Sequence, residues 1–499
     1  MTNQVYVEPS NTLKVYDVCD VLVVGSGAAG HSAAVAAARA GCKNVVLMER
    51  YGYSGGDVTG GYVLMVPKLS WYGQSYVRGL QEEWFSRLDP IPDSYIGPSL
   101  KEIGDTDPAK IDFWKSVHGC VSESEPKRLV RAMYYEPNQL KIEMDKMLLE
   151  HKDSIRVLYH SWGTKPIVED GAVKGVIFES KEGRQVVLAK VVIDATGDGD
   201  LFRQCNVPYR RLADSHCRCS TTALVWRIGG VNHAAFYEWQ KANPEIYKAL
   251  RTRMAEIAGF RIAGFPQAPT DIYWMNNWHA NRDCSTIKDC TETEMNTRNT
   301  IRDVLQYYKE VCPVAFKDAY LYDIAPQLGT RCSNRLQGEH VMTVEDFAFA
   351  PKFEDVIAWH STICMINDCA PIEIPYRAML PKGVDNLLCP GRHISADDVA
   401  IDWVNLIPQC VGTGQAAGVA AAVAVANGTT TKNVDIRKVQ NILIDQDVPL
   451  PRNDRVDKAL TECCEEHEYG LYTELAKKAH EEAGSLKTYR QSDIVGTKK

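Results

Sequence analysis

The stretch from Asp20 to Arg50, DVLVVGSGAAGHSAAVAAARAGCKNVVLMER, constrains this chain more than any other, because it reads as a complete dinucleotide-binding βαβ unit. Val21 to Val24 form a short apolar run suited to a buried parallel strand, and Gly25, Gly27 and Gly30 supply a G-x-G-x-x-G turn. Gly25 permits the tight turn, Gly27 lets backbone approach a pyrophosphate, and Gly30 lets the next helix pack closely on the sheet. The helix expected from His31 to Ala40 is nearly all alanine, which favours helix and keeps its inner face thin, and Gly41 stops it. A second strand, Val45 to Met48, ends at Glu49, about 20 residues past the motif, where a carboxylate can accept hydrogen bonds from ribose hydroxyls. That carboxylate would repel a 2′-phosphate, which leaves FAD or NAD and disfavours NADP.

A chain of 499 residues is long enough for two or three domains with ample core. Its net charge of −8 and lack of basic runs argue against nucleic-acid or anionic-membrane binding. The opening segment has no basic stretch followed by an apolar run, so no secretory signal is read and a cytoplasmic location is expected. Ala416 to Ala426 is read as a buried helix too short to span a bilayer. The 16 cysteines include Cys217 and Cys219 beside His216, Cys364 with Cys369, and Cys463-Cys464, but none has the paired C-x-x-C spacing of a zinc or iron–sulfur site. Thiols without a metal are expected.

After Glu49, the loop from Arg50 to Gly61 is dense in glycine and could let backbone lie against a flat ring system. Tyr62 to Tyr72 offers aromatic and apolar walls for a cavity. Leu80 to Leu88 and Pro137 to His151 carry helical periodicity. The period then changes to two, and Ile155–His160, Lys165–Glu169, Ala172–Glu179 and Gln185–Ala189 read as a small antiparallel layer. It ends in a buried strand and the glycine-acid turn Ile193 to Asp200. From about Cys205 to Ile372 an inserted unit is expected, with a strand at Ala223–Val231, a helix at Thr293–Val311 and specificity on loops such as Asp271–Asp283. Gly412 to Gly418 is read as a glycine turn opening a helix, whose positive end would suit a phosphate or a reduced ring. Asp435–Asp445 is amphipathic, and Asp454 to Lys499 is a charged tail.

Five blocks together resemble the two-dinucleotide-binding-domain flavoproteins, and more narrowly the FAD-dependent oxidoreductases related to fumarate reductase and succinate dehydrogenase flavoproteins. They are Gly25–Gly30 with Glu49; Ser54–Gly61; Ile193–Asp200; Arg331–Arg335 with Gly338-Glu339; and Ile374–Arg377 through Gly391-Arg392 to Gly418. The resemblance implies an α/β fold, a Rossmann-like FAD-binding domain of glutathione-reductase type with an inserted α+β substrate or cap domain. It divides the chain into residues 1–204, an inserted 205–373, a return at 374–430 and a C-terminal helical region at 431–499. It further implies that Gly25, Ser26, Gly27, Ala28, Ala29 and Gly30 cradle the FAD pyrophosphate, and that Glu49 and Arg50 hold the adenosine. Gly55, Gly56 and Thr59 would lie along pyrophosphate and flavin, and Thr196, Gly197 and Asp198 would close the nucleotide site. Gly391, Arg392 and Gly412, Thr413, Gly414 and Gln415 would reach the ribityl chain and ring.

Departures from the family pattern are also legible. Asp397-Asp398 stand where relatives carry threonine-histidine, Asn405 and Asn334 stand where arginines are usual, and no histidine lies between Glu49 and Lys68 to attach FAD covalently. Non-covalent FAD is therefore expected. The implied activity is that of a dehydrogenase or reductase exchanging a hydride between flavin N5 and a carbon of a small organic substrate. Asp397, Asp398, His393, Arg331 and Tyr376 are the catalytic candidates, Asp402, Arg335 and Arg377 secondary ones, and His279 with Trp274 and Trp278 weaker ones. Closely spaced carboxylates can raise one pKa into a useful range. The alternatives are an oxygen-using oxidase or monooxygenase and a non-catalytic flavoprotein subunit. Substrate, electron partner and homo-oligomer formation are left open.

Overall fold

The computed structural model describes residues 4–451, apart from 68, 72, 76, 116, 118, 123–125, 212–221, 268–269, 280–281, 332, 344–345, 347–350, 361–370 and 399. The cysteine groups at 217 and 219, 364 and 369, and 463 and 464, and the charged tail, lie outside the described residues.

Apolar runs bounded by glycine turns build a seven-stranded sheet at the centre of the described chain. Strand β1 is Lys14–Val24, β2 Val45–Met48, β3 Ile155–Leu158, β4 Trp162–Glu169, β5 Ala172–Ser180 and β6 Gly183–Asp194. Their order is β3-β2-β1-β6-β5-β4, and the short strand Leu387–Leu388 joins β6 in parallel beyond the end of β5. β1 is parallel to β2 and β6, and β2 to β3, whereas β4, β5 and β6 form an antiparallel meander. The expected antiparallel layer is thus corrected at its first member and continued at its last. Ile155–Leu158 is a parallel edge strand, and β6 carries the meander directly into the parallel sheet. One 12-residue strand pairs with β5 through its first half and with β1 along its length.

Helix α1, Ala28–Arg39, packs on this sheet, while α2, Leu80–Leu88, and α3, Pro137–Glu150, cover the same side. A second sheet of four strands contains β7 Trp226–Gly229, β8 Arg261–Pro266, β9 Tyr273–Trp278 and β10 Tyr320–Ile324 in the order β8-β9-β7-β10. Its helices are α4, His233–Ala242, α5, Pro244–Ala258, and α6, Ile287–Val311. They bury Trp226, Ile228, Tyr273 and Met275 on one sheet face in a core of its own. Asp271–Asp283, expected as a loop, instead contains β9. Its two tryptophans and two asparagines hid the alternation that the antiparallel partners supply.

Helix α7, Ile407–Asn427, runs against α1, and α8, Ile436–Asp445, closes over it with Asp435 capping the first turn. α7 is long and apolar enough to cross a membrane, and 89% of its most apolar window is buried inside the protein. The sequence reading of this helix as short is corrected: it begins at Ile407, with Pro408 in the first turn.

Candidate functional site

The first turn after β1 makes a cradle. Gly25 has φ +93°, and a Cβ there would lie 2.5 Å from the Ala195 carbonyl oxygen, so only glycine fits. Gly27 caps α1, and a Cβ on it would meet no atom within 4 Å, which leaves its cavity side open. The first-turn N–H groups of α1 have no helix carbonyl to bond and carry the positive end of the helix dipole. Ala28 and Ala29 line the cavity there. Gly30 lies on the other side, crossing the Gly25 carbonyl so closely that a side chain would push α1 off the sheet.

Glu49 ends β2 and is 7% exposed. Its Oε2 accepts from the Ser26 N–H at 2.6 Å and its Oε1 from the Tyr51 N–H at 2.8 Å. Burial pushes its carboxyl up from the ordinary value, against those backbone donors. Ser26 is fully buried and bonds through its hydroxyl to that of Ser54, 2.7 Å away, so it braces the turn from behind. Gly55, in the left-handed region at φ +106°, packs on Thr59, whose hydroxyl donates to the Ser54 carbonyl at 2.5 Å. Both support the loop rather than line the cavity.

Arg392 ties three segments together. It donates to Asp57 at 2.9 Å, to Asp198 at 3.1 Å and to the Gly197 carbonyl at 3.0 Å. Burial alone would raise both carboxyls. Arg392 and Ser333 bring Asp198 below its usual range, while Asp57 stays above it. Arg392, Asp57 and Gly197 border a cavity of about 500 Å³. Of the expected cofactor residues, Gly25, Gly27, Ala28, Ala29, Glu49, Arg50, Gly56, Thr196, Gly197, Gly391 and Arg392 line it. Asp198 stands one layer behind Arg392.

The group Gly412, Thr413, Gly414 and Gln415 is misplaced by the sequence reading. These residues lie inside α7, not at its start. Side chains on Gly412 and Gly414 would collide with His360 and with the Ala29 carbonyl, so the glycines serve helix packing. Thr413 accepts from the Gly391 N–H at 3.1 Å, and Gln415 accepts from the Leu80 N–H at 3.2 Å. The true N-terminus of α7, with Leu406 and Ile407, does line the cavity. Pro408 was the signal that could have found it.

Of the five catalytic candidates, Arg331 lines the cavity. His393 is fully buried, bonds to the Asp194 carbonyl at 3.0 Å and packs edge-on against Phe202, and burial lowers its pKa. Tyr376 is buried and donates to the Thr431 carbonyl at 2.8 Å. Asp398 is held by Arg335 and by Arg210, each at 2.5 Å. Asp397 accepts from the Ala400 N–H at 2.7 Å, and Asp402 is buried in the short helix Ile401–Val404. None of these borders the cavity. Arg377 is likewise occupied, at the surface, by Asp355 at 3.0 Å. His279 bonds to Thr297 at 2.8 Å and lies against Phe260, and burial lowers its pKa to about 3.

The sequence reading passed over Asp57, Gln327, Arg261 and Phe265, all of which border the cavity. Asp57 is masked by the glycine run around it, and Arg261 and Phe265 come to one face only through the pairing of β8 with β9. Among the described residues no group of three or more His, Cys, Asp or Glu is arranged to hold a metal ion.

Comparison with known proteins places residues 20–443 in the family described as FAD dependent oxidoreductase. A segment of 76 residues is 43% identical to a urocanate reductase of Eggerthella lenta, and covers 15% of this chain and 10% of that protein. Among solved structures, a geranylgeranyl bacteriochlorophyll reductase-like protein of Thermoplasma acidophilum is 15% identical, with 96% of this chain and 100% of that one covered and a TM-score of 0.43. A p-nitrophenol 4-monooxygenase of Pseudomonas putida is 12% identical, with 96% and 97% covered and a TM-score of 0.43.

Proposed function

The chain belongs to the FAD-dependent oxidoreductase family, and from that premise we propose that it is a dehydrogenase or reductase that acts on a small organic molecule enclosed between the nucleotide cradle and the four-stranded sheet. The observation that carries this is the cavity itself, whose lining comes from both sides: Gly25, Glu49 and Arg392 from one, Trp274, Asn276 and Arg261 from the other. Cofactor and substrate would share one enclosure screened from bulk water.

The residues present fit FAD. Gly27 leaves open space beside free helix N–H groups, where a pyrophosphate is well held. Glu49 keeps lone pairs for ribose hydroxyls, and Arg392 offers a buried cation. When bound, FAD supplies two-electron chemistry at its ring system. The N-terminus of α7 directs its dipole into the cavity and would favour negative charge there. In this reading the large sheet is the glutathione-reductase-type FAD-binding domain and residues 205–373 form its cap. FAD binds non-covalently.

Proton handling falls to Asp57 rather than to Asp397 or Asp398. Among the described residues, the carboxyl groups lining the cavity are Glu49, Asp57 and Asp200. Glu49 is engaged by two backbone donors, and Asp200 faces Arg203 at 3.5 Å. Asp57 Oδ2 is held by Arg392, which leaves Oδ1, 3.4 Å from the Gln327 amide, to take a proton from substrate.

The purified protein is expected to show flavin absorbance that passes into the supernatant on acid precipitation. Anaerobic mixing with a panel of reduced organic donors is expected to bleach it. Absence of flavin with no uptake on adding FAD would sink the proposal, and so would bound flavin that only oxygen or light affects.

A further inference from the structure

One wall of the cavity has a regular pattern that the cofactor does not need. β8 and β9 run antiparallel and pair Arg261 with Trp278, Ala263 with Asn276 and Phe265 with Trp274. Side chains alternate along a strand, so these six project from one face. Arg261, Phe265, Trp274, Asn276 and Trp278 all border the cavity, while the intervening Ile262, Tyr273 and Met275 are buried in the core on the opposite face.

The ladder has two chemically distinct ends. At one, the rings of Phe265 and Trp274 lie 5.4 Å apart, tilted by 38°. Trp274 is locked in place by donating Nε1–H to the Tyr62 carbonyl at 2.8 Å. At the other, the Arg261 guanidinium lies over Trp278, 4.7 Å from its centroid. Four residues of extended strand separate Trp274 from Trp278, roughly 13 Å between Cα atoms. Arg331 adds a second guanidinium to the lining. The acids that line the cavity, Glu49, Asp57 and Asp200, all come from the nucleotide side, and among the described residues none comes from the four-stranded sheet.

Resting on the reading of this cavity as a flavin and substrate enclosure, we infer that the ladder is the substrate platform and that it takes an aromatic carboxylic acid. The ring lies on Trp274 and Phe265, and the carboxylate, joined to it through a short chain, meets Arg261. Aromatic faces stack on flat substrates at low entropic cost, and a guanidinium fork binds a carboxylate far better than the neutral amide of the same shape.

The test uses the flavin-loaded full chain and four probes, trans-cinnamate, trans-cinnamamide, 4-phenylbutyrate and 4-phenylbutyramide, read by the flavin difference spectrum and by tryptophan fluorescence. At least one acid is expected to bind saturably and at least roughly tenfold more tightly than its amide. Arg261→Gln should erase that preference by weakening the acid and leaving the amide within about twofold, and Trp274→Leu should weaken both. Trp274→Phe serves if Trp274→Leu fails to fold. Equal binding of acid and amide, or no binding of either pair, overturns the inference and leaves the flavin reading standing. Loss of flavin uptake in Arg261→Gln, with acid binding intact, assigns the ladder to the cofactor and also overturns it. A wild-type protein that takes up no flavin overturns the underlying reading instead.

Discussion

Asp57 and Asp198 show how one cation sorts two acids. Both touch Arg392, yet Asp198 also accepts from Ser333 at 2.8 Å and from Thr330 at 3.4 Å, so its charge is settled by protein donors. Asp57 has one oxygen on Arg392 and the other toward the cavity, where burial favours the protonated form. A group poised this way can exchange a proton with a bound molecule. Replacing it by Asp57→Asn keeps the shape and a hydrogen bond to the guanidinium but removes the proton acceptor. Flavin uptake should persist, while reduction of the flavin by whichever donor serves the wild type should slow by about 10²–10⁴-fold and lose the acid limb of its pH profile. Stopped-flow absorbance measures both. An unchanged rate and profile would remove Asp57 from the chemistry.

At the scale of elements, the cradle depends on how closely two helices approach. Gly414 and Gly418 stand one turn apart on α7 and face Ala29 and Ala33, one turn apart on α1, and a side chain on either glycine would strike a backbone carbonyl of α1. Alanine is the better helix former by about 1 kcal/mol, so propensity and packing oppose each other at these sites. Packing should win, because the obstacle is backbone and cannot swing away. Gly418→Ala should lower stability by about 1–3 kcal/mol, seen as a reduced calorimetric Tm, whereas an equal or raised Tm would show that the helices can part without cost. The same pair of helices marks what the sequence conveys. Small residues announce that something comes close, and β1, the glycine turn, α1, β2 and Glu49 were legible because each step of that unit is local. At Gly412–Gly418 the visitor is a helix rather than a cofactor, and a sequence does not distinguish the two. The platform of β8 and β9 was less legible still, since Arg261 and Trp278 become neighbours only through pairing across the sheet.

At the scale of the whole molecule, three deeply buried histidines among the described residues bear on the response to pH. His31 is packed between α1 and α3 with its Nε2 3.1 Å from the Met144 carbonyl, His279 lies under the four-stranded sheet, and His360 abuts Gly412. Burial lowers their pKa values to about 4, about 3 and about 4. In the unfolded chain each titrates near 6.5, so between there and about pH 4 the unfolded state holds up to three more protons than the folded one. Their contribution to stability is fully present above pH 6.5 and is lost as pH falls. Asp200 acts in the opposite sense. Burial, with Asp198 and Asp194 nearby, raises it from 3.8 to about 6, so the folded state holds one extra proton in much of the same interval and gains as pH falls. Taken by themselves, these three histidines and this aspartate give a net uptake of about two protons on unfolding near pH 5, equivalent to about 2–3 kcal/mol lost per pH unit. His151, His233 and His393, lowered by burial, add to it, and Glu49, Asp57 and Glu82, raised by burial, oppose it. Urea denaturation of the flavin-free protein at several values between pH 7.5 and 5 should therefore show a midpoint that falls steadily below pH 6.5 with an unchanged slope. A midpoint that holds or rises toward pH 5 would mean that Asp200 outweighs the histidines, or that water reaches His31, His279 and His360 more freely than their packing allows.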